Sequence, residues 1–429
     1  MRVVYIAAGA AGSYCGACMR DTALARGLAA RGHELEFLSL YTPVRADASP
    51  PGGCRIFYGG INVYLEQRYD FFRHVPEFLG RLFDSEWLLD FIEHFAIDTK
   101  PEDLGEMTVS VLRGPSGRQA GELERLVRFL KSGPRPDVVN ITNSLLSAIA
   151  PAVKEALGVR VVSNLQGEDV FIGRLGEPWR TEAVALIRRN AEAVDRFVAP
   201  GEEYADEMAR FLAVDRSRIT VIRAGVDPAA YAGTREVPDD TFRIGCLSRI
   251  APAKGTDLLC EAFRLLERER PGASTLELAG EIVPSEREFW EHELGRMRAE
   301  GLGDRVRYVG SPDLAGKVRF LKRLSAFALA SRTGERQALA CIEALAAGCP
   351  VVLSDHGMER EIISLTGGGL LVKPNDARAL AEGLARLRDD RELARALGRR
   401  GAAGVAAHFS SDTMVEKTVE LYGKLVKKP

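Results

Sequence analysis

The chain has no hydrophobic run of about 18 residues, the minimum for a helix that crosses a membrane. It also has little net charge: its 429 residues sum to −2. This near-neutral balance excludes a protein that binds nucleic acid through a general excess of positive charge. With 46% hydrophobic and 28% charged residues, the composition is typical of a soluble globular protein with two or three domains.

Cysteine is scarce, and the number of cysteines is odd. There are seven, and several lie in apolar stretches, such as Cys246 in FRIGCLSRI and Cys341 in ALACIEAL. This pattern predicts reduced, buried thiols in a cytoplasmic protein rather than a disulfide framework. The N-terminus MRVVYIAAGAAG is apolar for only a few residues before glycines interrupt it, so we expect no secretory signal peptide.

Patterns that hold metal ions are also missing. Cys15 and Cys18 form a C-x-x-C pair in the glycine-rich turn GAAGSYCGACMRD, but no further ligands follow at the spacing of a zinc site. The chain has no D-x-D pair to hold a divalent cation against a diphosphate, and its six histidines show no ligand spacing. We therefore predict no metal ion and no cofactor.

Short apolar runs alternate with helical patterns along almost the whole chain. The first half has runs with strand character at 3–7, 35–40, 107–112, 137–142, 159–165, 195–200 and 219–225. The second half has them at 242–248, 275–280, 305–310, 326–331, 350–355 and 369–374. This alternation is typical of parallel sheets covered by helices on both faces. The sequence therefore predicts an α/β protein with two Rossmann-like, doubly wound domains.

Two segments depart from this alternation. The polar stretch DPAAYAGTREVPDD (227–240) is interpreted as a linker, which gives a first domain at 1–228 and a second at 241–409. Residues 55–100, approximately, contain 11 aromatic side chains and are interpreted as a mostly helical insertion in the first domain. We favour a subsidiary hydrophobic cluster for these aromatics; the alternative is a lobe that contacts a substrate or a membrane.

Charged residues occur where such sheets bind ligands, just beyond the carboxyl ends of their strands. Arg249 and Lys254 follow the first strand of the second domain, and two cations on a strand-to-helix loop suit a diphosphate. Glu335 and Glu343, with seven residues between them, could accept hydrogen bonds from two sets of hydroxyl groups. Either pattern taken alone is also typical of a solvated surface.

These motifs together resemble the large family-4 glycosyltransferases of the GT-B fold. The resemblance rests on SRIAPAKGTDLLCEAF, on GERQALACIEALAAGCPVVLSDHGMEREII with GGLLVKPND, and on RVRYVG, VIRAGVDPAAY and LAARGHEL. It covers nearly the whole chain apart from the aromatic segment. It implies two facing domains with substrates in the cleft between them, and a last helix (410–429) that crosses back onto the first domain.

The resemblance implies a retaining, metal-independent transfer of a sugar from a nucleotide-diphosphate donor to a hydroxyl acceptor. Arg249 and Lys254 would neutralise the diphosphate, Glu335 would hold the transferred sugar, and Glu343 would hold the ribose. By analogy, the departing phosphate accepts the proton of the acceptor in a front-face substitution.

Further residues receive roles from the same resemblance. The first set would contact the donor: Gly16, Gly310, Ser311, Pro312, Lys317, Gln337, Ala338 and Leu339. The second set would face the sugar or the acceptor: Cys15, Asn143, Gln166, Gly167 and Glu168.

The chain also departs from the family pattern at two sites. Arg336-Gln337-Ala338 replaces the usual Pro-Phe-Gly, and Gln166-Gly167 replaces the usual His-Gly. Glutamine does not titrate, so we expect Gln166 to orient a hydroxyl group rather than to carry a proton.

Three alternatives remain open at this point. A nucleotide-sugar epimerase or a disaccharide phosphorylase could use the same scaffold, and a degenerate protein could bind its ligand without catalysis. The retention of Arg249, Lys254, Glu335 and Glu343 together argues against the last of these. A cytoplasmic location is expected, with association to the cytoplasmic face of a membrane if the aromatic insertion touches lipid.

Overall fold

The structure, a computed structural model, describes residues 1–9, 16–42, 44, 46–53, 55–56, 104–237 and 241–427. Cys15 and nearly all of the aromatic segment therefore lie outside the described residues. The chain divides into two compact units. Unit 1 comprises Met1–Ile222 and Val415–Pro429, and unit 2 comprises Arg223–Met414.

Unit 1 contains a parallel sheet of seven strands in the order β3-β2-β1-β4-β5-β6-β7. The strands are β1 (Arg2–Ala7), β2 (Glu34–Ser39), β3 (Arg55–Ile56), β4 (Val138–Ile141), β5 (Arg160–Asn164), β6 (Arg196–Ala199) and β7 (Ile219–Val221). The helices are α1 (Gly16–Ala30), α2 (Gly105–Leu112), α3 (Ala120–Ser132), α4 (Ile149–Leu157), α5 (Glu168–Gly173), α6 (Trp179–Ala191) and α7 (Glu202–Leu212).

The neighbouring strands β1 and β4 are buried on both faces, which is why they form the centre of unit 1. All four residues of β4 are buried, as are the last five of β1. The register pairs Tyr5 of β1 with Phe37 on one side and with Asn140 on the other. The strand order reverses between β1 and β4, and doubly wound sheets bind ligands at the carboxyl ends of the strands at such a point.

One predicted strand of unit 1 is wrong. Residues 107–112 (MTVSVL) lie in helix α2, not in a strand. Their β-branched residues favour a strand locally, but Thr108, Val109 and Leu112 recur at helical spacing and bury one face. Gly105 lets the Trp179 ring approach that helix closely, since a Cβ at Gly105 would lie 2.4 Å from Trp179 Cδ1. Tertiary packing therefore overrides the local preference.

Unit 2 contains a parallel sheet of six strands in the order β10-β9-β8-β11-β12-β13. The strands are β8 (Phe242–Leu247), β9 (Ser274–Ala279), β10 (Val306–Tyr308), β11 (Ala326–Leu329), β12 (Val351–Ser354) and β13 (Gly369–Val372). The helices are α8 (Pro228–Tyr231), α9 (Thr256–Glu269), α10 (Arg287–Ala299), α11 (Leu314–Lys322), α12 (Leu339–Ala346), α13 (Gly357–Thr366), α14 (Ala377–Asp389) and α15 (Arg391–His408).

The stretch interpreted as a linker belongs to unit 2 as far as it is described. Asp227 caps α8 by accepting a hydrogen bond from the Ala229 N–H at 3.0 Å. Tyr231, at the end of α8, is only 3% exposed, and the Arg235 guanidinium donates to the Leu324 carbonyl. The boundary between the units therefore precedes this stretch, between Ile222 and Arg223.

The last helix, α16 (Ser411–Val426), begins in unit 2, and from Val415 onward it belongs to unit 1. It packs closely on α1, because a Cβ at Gly27 would lie 2.3 Å from Val415 Cγ2. The buried Tyr422 hydroxyl donates to Asn140 Oδ1 on β4 at 2.9 Å. These contacts confirm the prediction that the C-terminal helix returns to the first domain.

Two expectations about classes of residue can be checked over the described ranges. Five cysteines there, Cys18, Cys246, Cys260, Cys341 and Cys349, are free and buried, as the sequence predicts. None of the helices that the structure describes is long and apolar enough to span a bilayer.

We predict that Tyr422→Phe lowers the free energy of unfolding of unit 1 by about 1–2 kcal/mol, because the buried Asn140 loses its hydrogen-bond donor. Urea unfolding measures this change. The control is Tyr308→Phe. The Tyr308 hydroxyl donates to the Gly280 carbonyl at 2.8 Å, but Tyr308 is 38% exposed. Water can therefore replace this hydrogen bond, and we expect a smaller loss of stability. Equal effects of the two substitutions would contradict a specific role for the buried bond.

Candidate active site

The candidate active site of unit 2 is built where the loops after β8 and β11 meet. These strands are neighbours at the reversal of strand order, so both loops lie at the same edge of the sheet. The Arg332 N–H donates to the Ala253 carbonyl at 3.1 Å. Gly255, at φ +69°, allows this approach, since a Cβ there would lie 1.9 Å from the Ala330 carbonyl oxygen.

An ion pair joins the two loops. Lys254 Nζ lies 2.7 Å from Glu335 Oε1 and 2.8 Å from Glu335 Oε2, so one ammonium group contacts both carboxylate oxygens. The Lys254 side chain is 29% exposed and the Glu335 side chain 17%, so both remain accessible to a ligand. Arg249, on the same loop as Lys254, is exposed. The structure thus brings together Lys254 and Glu335, to which the resemblance assigns the diphosphate and the transferred sugar.

The Glu335 main chain is held by the first turn of α13. Both oxygens of Glu359 accept from the Glu335 N–H, at 3.1 and 3.0 Å, and the Met358 N–H donates to the Glu335 carbonyl at 3.2 Å. His356 Nε2 lies 2.7 Å from the Ser331 carbonyl oxygen in the same loop. His356 and Glu359 therefore fix the shape of the β11 loop.

The Glu359 carboxyl group is fully buried. Burial raises the pKa of Glu359 from its ordinary value of 4.5 to about 8, and the neighbouring charge of Glu335 raises it further in the same direction.

Glu343 lies inside α12 and is almost fully buried. Its Oε1 lies 2.5 Å from Lys317 Nζ and accepts from the Tyr231 hydroxyl at 2.9 Å. Lys317, on α11, is also buried. Glu343 and Lys317, both predicted to contact the donor, therefore form one buried cluster with Tyr231.

Helix α12 begins at Leu339, and Ala338 occupies its N-cap position at φ +50°. A left-handed conformation is uncommon for alanine and is typical of glycine. Glycine is the residue that the resembling family carries here, so the backbone shape persists without it. The Cys341 and Ile342 N–H groups donate to the Ala338 carbonyl, at 3.0 and 3.2 Å. The N–H groups of Leu339 and Ala340 precede these first bonds of the helix, so they point away from it at its N-terminus.

The loop after β10 contains the other predicted donor residues. Gly310 adopts φ +79°, and its carbonyl accepts from the Gly280 N–H at 2.8 Å. Ser311 is exposed and Pro312 is partly buried. Asp313 ends the loop by capping α11 through the Gly316 N–H at 2.7 Å.

In unit 1, a buried polar cluster occupies the point where the strand order reverses. Asp21 of α1 accepts from the Tyr5 hydroxyl at 2.5 Å and from the Thr142 hydroxyl, and it lies 3.2 Å from Arg20 Nη1. Arg20 Nη2 donates to Asn164 Oδ1 at 3.1 Å. Burial raises the pKa of Asp21, although Arg20 and the hydrogen bonds oppose the shift.

Gln166 lies at the edge of this cluster. Its amide nitrogen donates to the Thr142 carbonyl at 2.6 Å and to the Thr142 hydroxyl at 3.0 Å, with Asp21 Oδ1 at 3.4 Å. Gly167 follows at φ +106°, and its N–H donates to the Tyr204 hydroxyl at 2.8 Å. The cluster therefore fixes the orientation of the Gln166 amide.

Glu168 faces the protein interior. Its carboxylate accepts from the main-chain N–H groups of Ser144 and Gln166, each at 2.7 Å, and it is 3% exposed. Burial raises the pKa of Glu168. A direct contact between Glu168 and a ligand would require breaking these bonds. Asn143, just before Ser144, is half-buried, and Gly16 is the first residue of α1.

Sequence reasoning missed three contributors. Tyr231 lies in the stretch interpreted as a linker, although its position after an Asp-Pro helix start is a signal for an ordered turn. Glu359 had no sequence signal, because a glutamate in a first helical turn is ordinarily solvated. Asp21 lies on an apparently ordinary helix, and only the assembled sheet surrounds it with polar partners.

Comparison with known proteins agrees with this architecture. The family described as "Glycosyl transferase 4-like domain" matches residues 20–225, and the family described as "Glycosyl transferases group 1" matches residues 232–403. The two matches follow the two units closely. They define the class as two-domain α/β glycosyltransferases.

Individual relatives lead to the same class. The D-inositol 3-phosphate glycosyltransferase of Salinispora tropica is 27% identical over 349 residues, covering 76% of this chain and 69% of that protein. A GDP-mannose-dependent monoacylated alpha-(1-6)-phosphatidylinositol monomannoside mannosyltransferase of Corynebacterium glutamicum is 31% identical over 295 residues, covering 64% and 73%. The crystal structure of Anabaena HepE with UDP and glucose has 17% identity, a TM-score of 0.68, and 99% and 100% coverage.

The chain belongs to the GT-B glycosyltransferases of the family-4 type. The predicted fold class and enzyme class are thereby confirmed. The epimerase, phosphorylase and non-catalytic alternatives are not favoured.

We predict that Glu359→Gln changes how stability depends on pH. Between pH 4.5 and about 8, the folded wild type holds a proton on Glu359 that the unfolded chain has lost. Rising pH therefore lowers the wild-type free energy of unfolding, by at most about 1.4 kcal/mol per pH unit, and the glutamine variant lacks this contribution.

Thermal melts of both proteins from pH 5 to 9 test this prediction. We expect the stability of the wild type relative to the variant to fall as the pH rises to 8 and to level off above it. Other buried carboxyl groups, such as Asp21, are present in both proteins and cancel. Melting temperatures that change in parallel over the whole range would contradict a raised pKa at Glu359.

Proposed function

We propose that this protein is a retaining, metal-independent glycosyltransferase that moves a sugar from a nucleotide-diphosphate donor to a hydroxyl acceptor. The observation that carries this proposal is the Lys254–Glu335 pair at the strand-order reversal of unit 2. At this point Lys254 supplies a cation for the leaving group, and Glu335, next to it, supplies a carboxylate for the sugar. The proposal rests further on the family to which the chain belongs.

Lys254 and Arg249 neutralise the charge that develops on the nucleoside diphosphate as the glycosidic bond breaks. Lys254 is in an ion pair with Glu335, so the diphosphate shares this cation with the carboxylate. The exposed guanidinium of Arg249 can bind two phosphate oxygens in one plane. These two cations supply the charge that a divalent metal ion supplies in other transferases, which supports metal-independent transfer.

The two glutamates bind different parts of the donor. Glu335 accepts hydrogen bonds from hydroxyl groups of the transferred sugar, with support from the first-turn amides of α12. Glu343 binds the ribose hydroxyls. Lys317 and Tyr231, both bonded to Glu343 Oε1, orient its carboxylate for this contact. The loop from Gly310 to Pro312 lies beside the base.

Transfer proceeds with retention of anomeric configuration through front-face substitution. The departing phosphate oxygen accepts the proton of the acceptor hydroxyl, and the acceptor oxygen bonds to the anomeric carbon as the carbon–phosphate oxygen bond breaks. Gln166 orients a hydroxyl group, since an amide does not titrate.

Nuclear magnetic resonance of the first-formed product tests retention, and an inverted anomer would refute it.

The acceptor is a hydroxyl compound, such as a small molecule, a glycan or a glycolipid, that binds at the carboxyl end of the unit 1 sheet beside Gln166 and Gly167. The two relatives described above are named for an inositol phosphate and for a phosphatidylinositol monomannoside, and both of these carry hydroxyl groups. We place the reaction in the cytoplasm, with glycolipid acceptors reached at the membrane surface.

We predict that Lys254→Ala lowers kcat for sugar transfer by about 10²-fold or more, because a preorganised charge at the leaving group is lost. Steady-state kinetics measure the effect. Lys322→Ala is the matched control: Lys322 donates to the Ala232 carbonyl at the far end of α11, away from the β8 loop. An unchanged kcat in Lys254→Ala would refute the assigned role.

The donor is identified by thermal-shift measurements with UDP, GDP, ADP and their sugars. We expect one nucleoside diphosphate and its sugar to raise the melting temperature, and transfer from that sugar to persist in excess EDTA. Loss of transfer in EDTA with recovery on adding Mg²⁺ or Mn²⁺ would refute metal independence.

A further inference from the structure

The position of Glu335 depends on contacts from outside its own loop. Residues 330–338 connect β11 to α12 without forming a helix or strand. On one side, Arg332 binds this loop to the β8 loop, through the Ala253 and Pro252 carbonyls. On the other side, the first turn of α13 contacts Glu335 itself.

The contact from α13 engages both main-chain polar groups of Glu335. Its N–H donates to the two oxygens of Glu359, and its carbonyl accepts from the Met358 N–H. The approach is close: a Cβ at Gly334 would lie 3.2 Å from Gly357 Cα. Because Glu335 both donates and accepts a main-chain hydrogen bond with this turn, its backbone position is restricted, and so is the direction in which its side chain leaves the backbone.

Burying the Glu359 carboxyl group beside the Glu335 main chain lowers the stability of the folded protein relative to an apolar side chain of the same size. Glu359 is 0% exposed, and burying an ionisable group is unfavourable unless it forms hydrogen bonds. Its charged neighbours, Glu335 and Lys254, form the pair that the proposed reaction uses. An apolar side chain would fill the same volume without this cost, but it would leave the Glu335 N–H without its acceptor.

We propose that Glu359 is a positioning residue that aims the Glu335 carboxylate at the transferred sugar, and so lets the enzyme distinguish a nucleotide sugar from the bare nucleoside diphosphate. Glu359 touches neither substrate nor reacting atoms; it acts through the Glu335 main chain. This role rests on the proposed function, because it assumes that Glu335 binds the sugar.

The test compares dissociation constants for UDP with UDP-glucose, for GDP with GDP-mannose and for ADP with ADP-glucose, using the pair that the wild type binds. The measured quantity is the ratio of the Kd of the nucleotide to that of its sugar. We expect Glu359→Leu to lower this ratio about tenfold or more, to the level of Glu335→Gln. Glu359→Gln keeps one acceptor oxygen for the Glu335 N–H and should retain a ratio near that of the wild type.

Two further variants separate positioning from general stability. Glu267 is a buried carboxylate that also accepts from two main-chain N–H groups, of Gly272 and Ser274, but at the amino end of β9. Glu267→Leu should lower the melting temperature and leave the ratio unchanged. The double variant Glu335→Gln/Glu359→Leu should discriminate no worse than Glu335→Gln alone, since both changes remove the same contact.

The outcomes distinguish this role from the proposed function. A folded Glu359→Leu variant with the wild-type ratio, or additive losses in the double variant, would overturn the positioning role alone. Failure of the wild type to bind UDP, GDP, ADP or any of their sugars would overturn the proposed function and this role with it.

Hydrogen exchange at the Glu335 amide gives a ligand-independent check: faster exchange in Glu359→Leu than in Glu359→Gln is expected, and equal rates would contradict the hydrogen bond.

Discussion

The candidate site of unit 2 depends on the close approach of two main chains, those of the loops after β8 and β11. Gly255 permits the contact with Ala330, and the hydrogen bond from Arg332 to Ala253 maintains it. Only then can Lys254 and Glu335 form a two-oxygen ion pair. An exposed ion pair formed by flexible side chains contributes little to the free energy of folding. Here the folded backbone has already positioned the charges, so less ordering remains for ligand binding.

Both units place polar side chains at the strand-order reversal of their sheet, but these side chains differ in burial and in how they are paired. In unit 2, charges at the strand-order reversal stay partly accessible, as binding of a charged ligand requires. In unit 1, Asp21, Tyr5, Thr142 and Arg20 satisfy one another in a buried cluster, and only its edge, Gln166, is partly exposed. Such a cluster is stable only when nearly every polar group has a partner, so it holds Gln166 in one orientation.

Most strands and the strand–helix alternation were predictable, because apolar runs bounded by turns report burial on both faces of a parallel sheet. Residues 107–112 were the exception, since their packing against Trp179 decides for a helix. In the candidate site, Lys254, Glu335 and Glu343 were found by spacing and resemblance. Glu359 and Tyr231 were not, because their significance lies in contacts with residues 24 and 112 positions away along the chain.

The sequence by itself determined the α/β class, the two-unit division and the kinds of charge at each strand-to-helix loop, since these follow from local patterns of hydrophobicity and composition. Only the tertiary structure decided which charges meet. The pairing of Lys254 with Glu335, the burial of Lys317 against Glu343, and the hold of Glu359 on the Glu335 main chain all depend on strand order. Strand order is set by packing between distant segments, which no local pattern records.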